Sequence, residues 1–184
     1  MFERPFFKAI YRWRVRAGSL AFLICIVLAK PNWKSVAIGA GISLAGLLIR
    51  AWAAGHLKKE KELAVSGPYR FSRNPLYLGN LILGLSLAIG SKSAIVAIIF
   101  VAYFLIFYPV IILTERERMK RLFPDKYKEY IKHVPLLFPW RKPMVCREKV
   151  GFDWRLYRSN REYRALVGSL IYWLILSARI LLKF

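Results

Sequence analysis

Residues 67–79, GPYRFSRNPLYLG, form the first of two polar stretches whose side chains could bind a ligand. Its two prolines and two glycines predict a rigid, non-helical entry into the apolar segment that follows. Arg73 lies immediately before the predicted start of that helix, where backbone N–H groups and the helix dipole favour an anion. A long cationic side chain that anchors the helix at a membrane interface explains the same position equally well. The residues alone leave an anion site and an anchor as equal alternatives.

The second polar stretch is residues 115–130, ERERMKRLFPDKYKEY, followed by Val134 and Pro135. Glu115 and Glu117 are carboxylates at the end of a long apolar segment, in a region that is otherwise rich in cations. Carboxylates at such a place could bind the polar groups of a ligand. Taken alone, the pattern favours a solvated helix with salt bridges along its surface.

Residues that typically ligate metals are few and scattered in this chain. The two histidines are His56 and His133, and the two cysteines are Cys25, in an apolar run, and Cys146, in a basic loop. Their settings predict neither a disulfide framework nor a thiolate metal site. We therefore expect no metal in the chemistry of this protein.

The elements that must position the two stretches are membrane helices. Of the 184 residues, 57% are hydrophobic and 22% are charged, and the mean hydropathy is +0.37. This is more apolar than a soluble domain, so a soluble enzyme is excluded. The uncharged or nearly uncharged runs that could form spans are residues 17–29, 36–55, 76–90, 94–113 and 165–182. The fold class is accordingly predicted as an all-α, polytopic integral membrane protein with about five transmembrane helices.

The cations of the chain predict its orientation. The formal net charge is +21, and residues 1–16, 56–75 and 114–164 carry 5, 5 and 15 of the Lys and Arg residues. The opposite side of the predicted topology carries 4. The positive-inside rule then predicts a cytoplasmic N-terminus with the large basic segments inside. We assign the excess cations to topology and to anionic membrane lipids rather than to nucleic acid.

Together, the two stretches form an ordered pattern. It consists of Gly-Pro-Tyr, Arg-x-Pro-x-Tyr-x-Gly, a pair of apolar segments, Glu, and then Phe-x-x-x-Tyr-x-x-Tyr with Val-Pro. This pattern resembles the isoprenylcysteine carboxyl methyltransferase family, which is related to the phospholipid N-methyltransferases that use S-adenosylmethionine. The runs 50–57, RAWAAGHL, and 160–163, NREY, look like features of a bacterial branch.

The resemblance implies one membrane-embedded methyltransferase domain over residues 1–184. Its motif-bearing core is expected at about 50–139, and residues 140–184 form a C-terminal extension with the last span. The implied location is a bacterial inner membrane. Two departures stand out, because Asn74 replaces the family's usual histidine and Arg116 replaces the second of two adjacent glutamates. The role of Glu117 and that of the extension are left open.

The resemblance further implies that the two stretches fold together into a cytoplasmic-side pocket for S-adenosylmethionine. Methyl transfer from a sulfonium needs in-line geometry and close approach, and it requires no metal. The cofactor's polar groups call for a cation, an acceptor carboxylate and aromatic faces. The expected catalytic residues are Arg73, Glu115 and Arg50. The expected cofactor-binding residues are Tyr69, Arg73, Asn74, Pro75, Tyr77, Gly79, Glu115, Tyr127 and Tyr130.

The acceptor is expected to be lipidic or membrane-associated and to enter between the spans. The surplus of arginine favours an anionic acceptor, so carboxyl O-methylation of an isoprenylcysteine-like acid comes first. A phospholipid or amine N-methyltransferase and a thiol S-methyltransferase are the alternatives among enzymes. A non-catalytic scaffold that binds anionic lipid through residues 114–164 is the alternative from another class. The methylated atom and the oligomeric state are left open by the sequence.

Overall fold

The structure is a computed structural model that describes residues 5–145 and 150–182, with side chains described from residue 9 onward. Within these residues it is all-helical, with no strand. The α-helices are α1 (Pro5–Leu28), α2 (Trp33–Ala54), α3 (Pro75–Ser91), α4 (Ala94–Leu122), α5 (Pro124–His133), α6 (Trp154–Ser159) and α7 (Tyr163–Leu181). A short 3₁₀ helix, Gly67–Arg70, lies before α3.

The five apolar segments each lie in a helix of their own, which confirms the all-α prediction. Three of these helices, α2, α4 and α7, are long and apolar enough to cross a membrane. Helix α3 is apolar but shorter, with 17 residues. Helix α1 has 24 residues and includes the basic turn that precedes its apolar half. Crossing of the membrane by α1 and α3 stays a prediction.

The described residues divide into two compact units. The apolar unit comprises residues 5–44, 81–114 and 168–182, and the motif unit comprises residues 45–80, 115–145 and 150–167. Both polar stretches of the sequence lie in the motif unit. The prediction of a single domain over residues 1–184 stays a prediction.

In the apolar unit, the connection between α1 and α2 is fixed by reciprocal hydrogen bonds. The Asn32 side chain accepts from the Ser35 backbone N–H at 2.8 Å, and the Ser35 hydroxyl oxygen accepts from the Asn32 N–H at 3.1 Å. This arrangement satisfies two N–H groups that the start of α2 would otherwise leave unpaired. The Lys30 N–H donates to the Ser91 carbonyl at 2.7 Å, and the Ser35 hydroxyl lies 3.0 Å from the Gly90 carbonyl. The two short connections, α1 to α2 and α3 to α4, are thereby joined.

Small residues allow close helix contacts in the same unit. A Cβ atom at Gly39 would lie 2.5 Å from the Trp173 ring and 2.8 Å from the Ser86 carbonyl oxygen. The hydroxyls of Ser43 and Ser169 lie 2.7 Å apart. Small residues and interhelical hydrogen bonds of this kind are typical of packing between membrane helices.

Arg179 is the cation within the last apolar segment, and its partners are backbone carbonyls. Its Nη1 donates to the carbonyls of Ile26 and, at 3.1 Å, Val27 in the last turn of α1. A helix end leaves its last four carbonyls without partners, so the guanidinium satisfies groups that would otherwise be unpaired. The charge in this apolar helix is therefore not isolated.

Candidate functional site

The two polar stretches lie against each other in the motif unit. The Arg73 backbone N–H donates to the Pro135 carbonyl at 3.0 Å, and the Asn74 side-chain amide donates to the Leu136 carbonyl at 2.9 Å. The Tyr130 hydroxyl donates to the Tyr69 carbonyl at 2.7 Å, and this bond is buried. These three hydrogen bonds hold the chain before α3 against the chain at and after the end of α5.

Residues 71–74 enter α3 without helical structure, as the prolines predict, whereas residues 67–70 form a 3₁₀ helix against the prediction. Pro75 begins the helix, where its missing N–H is not needed, and it is almost fully buried. The Asn74 N–H donates to the Ser72 hydroxyl at 3.2 Å, which shapes the turn before the helix. Arg73 thus lies two residues before the first residue of α3, and within the described part of the chain its buried Nε has no hydrogen-bond partner. This guanidinium retains a donor for an anion.

Tyr127 and Tyr130 form the core beneath this contact. Both are 4% exposed, and they pack with the fully buried Val134. Helix α5 places them on one face because they are three residues apart, with charged residues on the other face. The structure gives the two rings a packing role, and their contact with a cofactor stays a prediction.

Arg50, near the end of α2, is held by two partners. Its Nη2 lies 2.6 Å from Oε2 of Glu162, and its Nη1 donates to the side-chain oxygen of Asn80. The side chains of Arg50 and Glu162 are 15% and 10% exposed, so the ion pair is largely buried. Among the described residues, no group accepts from the buried Nε of Arg50. The guanidinium is therefore fixed at two nitrogens, and its third nitrogen, Nε, keeps a buried N–H donor.

Gly79 makes room for this arginine. A Cβ atom at Gly79 would lie 2.5 Å from Cγ of Arg50 and 3.0 Å from the Gly46 carbonyl oxygen. Helices α2 and α3 therefore approach closely at this level, and the Arg50 side chain passes through the gap. In the structure Gly79 makes space for Arg50, and its predicted contact with a cofactor stays a prediction.

The two runs that the sequence singled out as a bacterial feature contact each other. Besides the pair of Arg50 with Glu162, the Asn160 side chain donates to the carbonyls of Ala54 and Leu57 at 2.9 Å each. Asn160 thus satisfies carbonyls at the end of α2. Sequence reasoning missed Glu162, Asn80 and Asn160 as site residues. The available signal for Glu162 was Arg50 itself, because an arginine within an apolar segment needs a counter-charge.

Tyr69 lies among the charged groups of this cluster and is 6% exposed. Burial raises the pKa of its phenol well above the ordinary value, and the negative charge of Glu162 raises it further. Tyr77 and Glu115 also raise this pKa, whereas Arg50 lowers it. Tyr69 therefore keeps its proton at neutral pH and remains a hydrogen-bond donor. The side chains that shift this pKa belong to four residues of the motif unit, of which only Glu162 was not predicted.

The carboxylates at the end of α4 differ in their partners. Glu117 is paired with Lys120 at 2.8 Å, as expected of a solvated helix surface. Glu115 is half-buried and forms no ion pair with a described residue. Arg116 has a buried Nε that no described group accepts from. Glu115 and Arg116 are therefore available to a ligand, and Glu117 is already engaged.

A cavity of about 710 Å³ lies within the motif unit, and its walls include His56, Ser66, Tyr130, Met144 and Leu156. Its size is ordinary for a small-molecule site. Tyr130 is the one residue of the predicted site among its lining residues. Across residues 5–145 and 150–182, no group of three His, Cys, Asp or Glu side chains is placed to hold a metal ion.

Comparison with known families bears on this site. Residues 36–126 match the family described as phospholipid methyltransferase. These residues belong to the phospholipid methyltransferase family. The match confirms the resemblance that the paired motifs predict, and with the three long apolar helices it indicates a membrane methyltransferase. The family segment includes Arg50, Tyr69, Arg73 and Glu115, and it ends before Glu162.

Two curated relatives of this chain are proteins of metal resistance by name. The nickel-cobalt-cadmium resistance protein NccN of Alcaligenes xylosoxydans xylosoxydans is 28% identical over 166 residues, which is 85% of this chain and 70% of that protein. The cobalt-zinc-cadmium resistance protein CzcN of Cupriavidus metallidurans is 36% identical over 101 residues, which is 54% of this chain and 46% of that protein. No solved structure matches the chain.

Proposed function

We propose that this protein transfers a methyl group from S-adenosylmethionine to a lipidic or membrane-associated acceptor, and that the acceptor atom is a carboxylate oxygen of an isoprenylcysteine-like acid. The observation that carries the proposal is the Arg73 guanidinium. It lies at the N-terminal end of α3 inside the family segment, with its backbone bonded to Pro135 and a buried Nε without a described partner. Burying a cationic donor without a hydrogen-bond partner costs free energy unless a ligand accepts from it.

The residues of the motif unit fit the cofactor's chemistry. Arg73 would hold its carboxylate, Glu115 would accept from its amino group or ribose hydroxyls, and the Tyr77 ring would face its sulfonium charge. The cofactor, when bound, supplies an electrophilic methyl group. Everything else that the reaction requires is binding, orientation and exclusion of water by the chain itself.

The arginines favour a carboxylate as the acceptor. A carboxylate is already ionised at pH 7, so its oxygen can attack without a general base. The chain then needs to orient and desolvate it, which the held guanidinium of Arg50 is suited to do. An amine acceptor would instead have to lose a proton first, and the phenol of Tyr69 keeps its own proton at neutral pH.

The test replaces Arg73 by lysine in the purified full-length protein. Lysine serves almost as well as arginine at a membrane interface, but it lacks the planar fork that binds a carboxylate. We expect Arg73→Lys to keep its thermal stability and to lose at least about tenfold in methyl transfer, measured with radiolabelled S-adenosylmethionine and a membrane lipid extract. Arg121→Lys, at an exposed position in the last turn of α4, is the matched control.

The outcomes of this assay separate the candidate functions. Base-labile radiolabel in the lipid fraction identifies a methyl ester, whereas base-stable radiolabel identifies N- or S-methylation. Full turnover by Arg73→Lys assigns Arg73 to anchoring and removes the main support for the proposal. Absence of S-adenosylmethionine binding by the wild type would favour the non-catalytic lipid scaffold.

Metal resistance is a second candidate function, at the level of the cell, and it is favoured by the names of the two relatives. We propose that the chain contributes to resistance through methylation of a membrane component. The test compares growth of host cells with nickel, cobalt, cadmium or zinc after deletion of the gene and complementation. Restoration by the wild type but not by Arg73→Lys is expected, and equal restoration by both would separate resistance from methyl transfer.

A further inference from the structure

The buried ion pair between Arg50 and Glu162 joins the family segment to the chain beyond it. Arg50 lies within residues 36–126, and Glu162 follows 112 residues later, immediately before α7. The charged atoms lie 2.6 Å apart, and both side chains are largely buried. A residue outside the family segment thus contacts a candidate catalytic side chain inside it.

The geometry of the contact fixes the guanidinium at two of its three nitrogens. Glu162 accepts from Nη2 and Asn80 accepts from Nη1, while no described group accepts from the buried Nε. Two acceptors on a planar group determine its orientation as well as its position. The Arg50 side chain also runs through the gap that Gly79 leaves, so its stem has little freedom.

The chain around Glu162 is shaped to hold this carboxylate in place. Asn160 is bonded to two carbonyls at the end of α2, and Glu162's own N–H reaches the Tyr157 carbonyl at 3.4 Å. Between them, Arg161 has a φ of 57°, a conformation that residues other than glycine rarely adopt. A buried ion pair is a poor means of stabilising a fold compared with packed apolar side chains. Its presence here calls for a role in orienting Arg50.

We infer that Glu162 and Asn80 are positioning residues that hold the Arg50 guanidinium in the orientation required by the polar group of the methyl acceptor. The inference rests on the proposed function. The segment after residue 126 would then contribute to the reaction. Glu162 orients Arg50 and does not itself contact the reacting atoms. The acceptor class is an anion small enough to accept from the Nε–H donor, such as a carboxylate.

A double-mutant cycle tests this inference in the purified full-length protein. The cycle consists of the wild type, Arg50→Lys, Glu162→Gln and the double variant, assayed with N-acetyl-S-farnesylcysteine as the carboxylate probe. We expect Glu162→Gln to lower kcat at least about tenfold with the Kd of S-adenosylmethionine unchanged. In the Arg50→Lys background, the same change should alter kcat by less than about twofold, because its effect passes through Arg50.

The controls distinguish a positioning role of Glu162 from a purely structural one. Glu129→Gln, at an exposed carboxylate paired with Lys132, should leave kcat and the cycle unaffected. Additive effects of Arg50→Lys and Glu162→Gln, or a kcat unchanged by Glu162→Gln, would overturn the inference alone. A wild type that leaves the probe unmethylated would overturn the proposed carboxyl transfer itself. If Glu162→Gln does not accumulate, Asn80→Ser takes its place in the same cycle with the same expected coupling.

Discussion

The guanidinium groups of Arg73 and Arg50, both in the motif unit, differ in their hydrogen-bond partners. Arg50 has a carboxylate and an amide on two of its nitrogens, whereas Arg73 is held through its backbone and keeps a buried Nε without a described partner. The first arrangement is that of an oriented group, and the second is that of a group with a buried donor that no described residue uses. The chemistry of this site therefore depends on which donors remain free as much as on which residues are present.

Glu115 provides the prediction at the scale of single residues. Glu115→Gln should weaken binding of S-adenosylmethionine by about 1.5–3 kcal/mol, because the acceptor loses its negative charge and the amide leaves a mismatched donor beside the cofactor. Isothermal titration calorimetry on the purified protein measures the change. Glu129→Gln should have little effect, since that carboxylate is exposed and already paired with Lys132. Equal losses in both variants would make Glu115 part of a structural salt-bridge surface.

At the scale of helices, the position of the Arg50 side chain depends on a close approach of α2 and α3 within the motif unit. Gly79 has no Cβ, so the carbonyl of Gly46 and the stem of Arg50 can both lie against it. A glycine in a helix interior is destabilising by roughly 0.5–1 kcal/mol relative to alanine. Its presence here is explained by the space that Arg50 requires.

Gly79→Ala tests this packing. Although alanine favours a helix, its Cβ would lie 2.5 Å from Cγ of Arg50, so the arginine must move away from Glu162 and Asn80. We expect turnover to fall at least about tenfold, measured with the same methyl-transfer assay. Gly41→Ala is the matched control, because a Cβ there meets nothing within 4 Å, and it should leave turnover unchanged and stability equal or higher. Unchanged turnover in Gly79→Ala would show that the position of Arg50 is not critical.

The elements of this fold were predictable because their signals are local. Each uncharged run gives a helix, the prolines of residues 67–79 give the turn before α3, and the helix of the fourth span continues through Glu115 to Leu122. The partners of Arg50 were not predictable in the same way. Asn80 and Glu162 lie 30 and 112 residues away, and no periodicity links positions that far apart. The sequence could name the arginine that needs a counter-charge but not the residue that supplies it.

Across the whole molecule, the dominant property is the uneven distribution of charge. Residues 114–164 alone carry 15 of the 31 Lys and Arg residues, whereas the connection between α3 and α4 carries only Lys92. Cytoplasmic loops of membrane proteins retain such cations, and an anionic leaflet attracts them. The candidate site and most of the basic residues are therefore expected on the same, cytoplasmic side of the membrane.

Single cysteines placed in a variant without Cys25 and Cys146 test this topology. Cysteines at Lys58 and Lys126, both in the motif unit, should react with an impermeant maleimide only after the membrane is opened. A cysteine at Lys92 should react in intact cells. Labelling of the Lys92 and Lys126 positions from the same side would be incompatible with a membrane crossing by α4, which lies between them, and with the predicted five-span arrangement.

The bond from Arg179 to the end of α1 has a consequence for the order in which this protein is made. The Ile26 and Val27 carbonyls are synthesised early, and the guanidinium that satisfies them is added 153 and 152 residues later. Ala29 and Val36 likewise cannot complete their apolar cluster until Tyr172 has been synthesised. Until Arg179 has been synthesised, α1 must leave these carbonyls to water or to the insertion machinery. The hydrogen bonding at the end of α1 is thus completed only after α7 has been made.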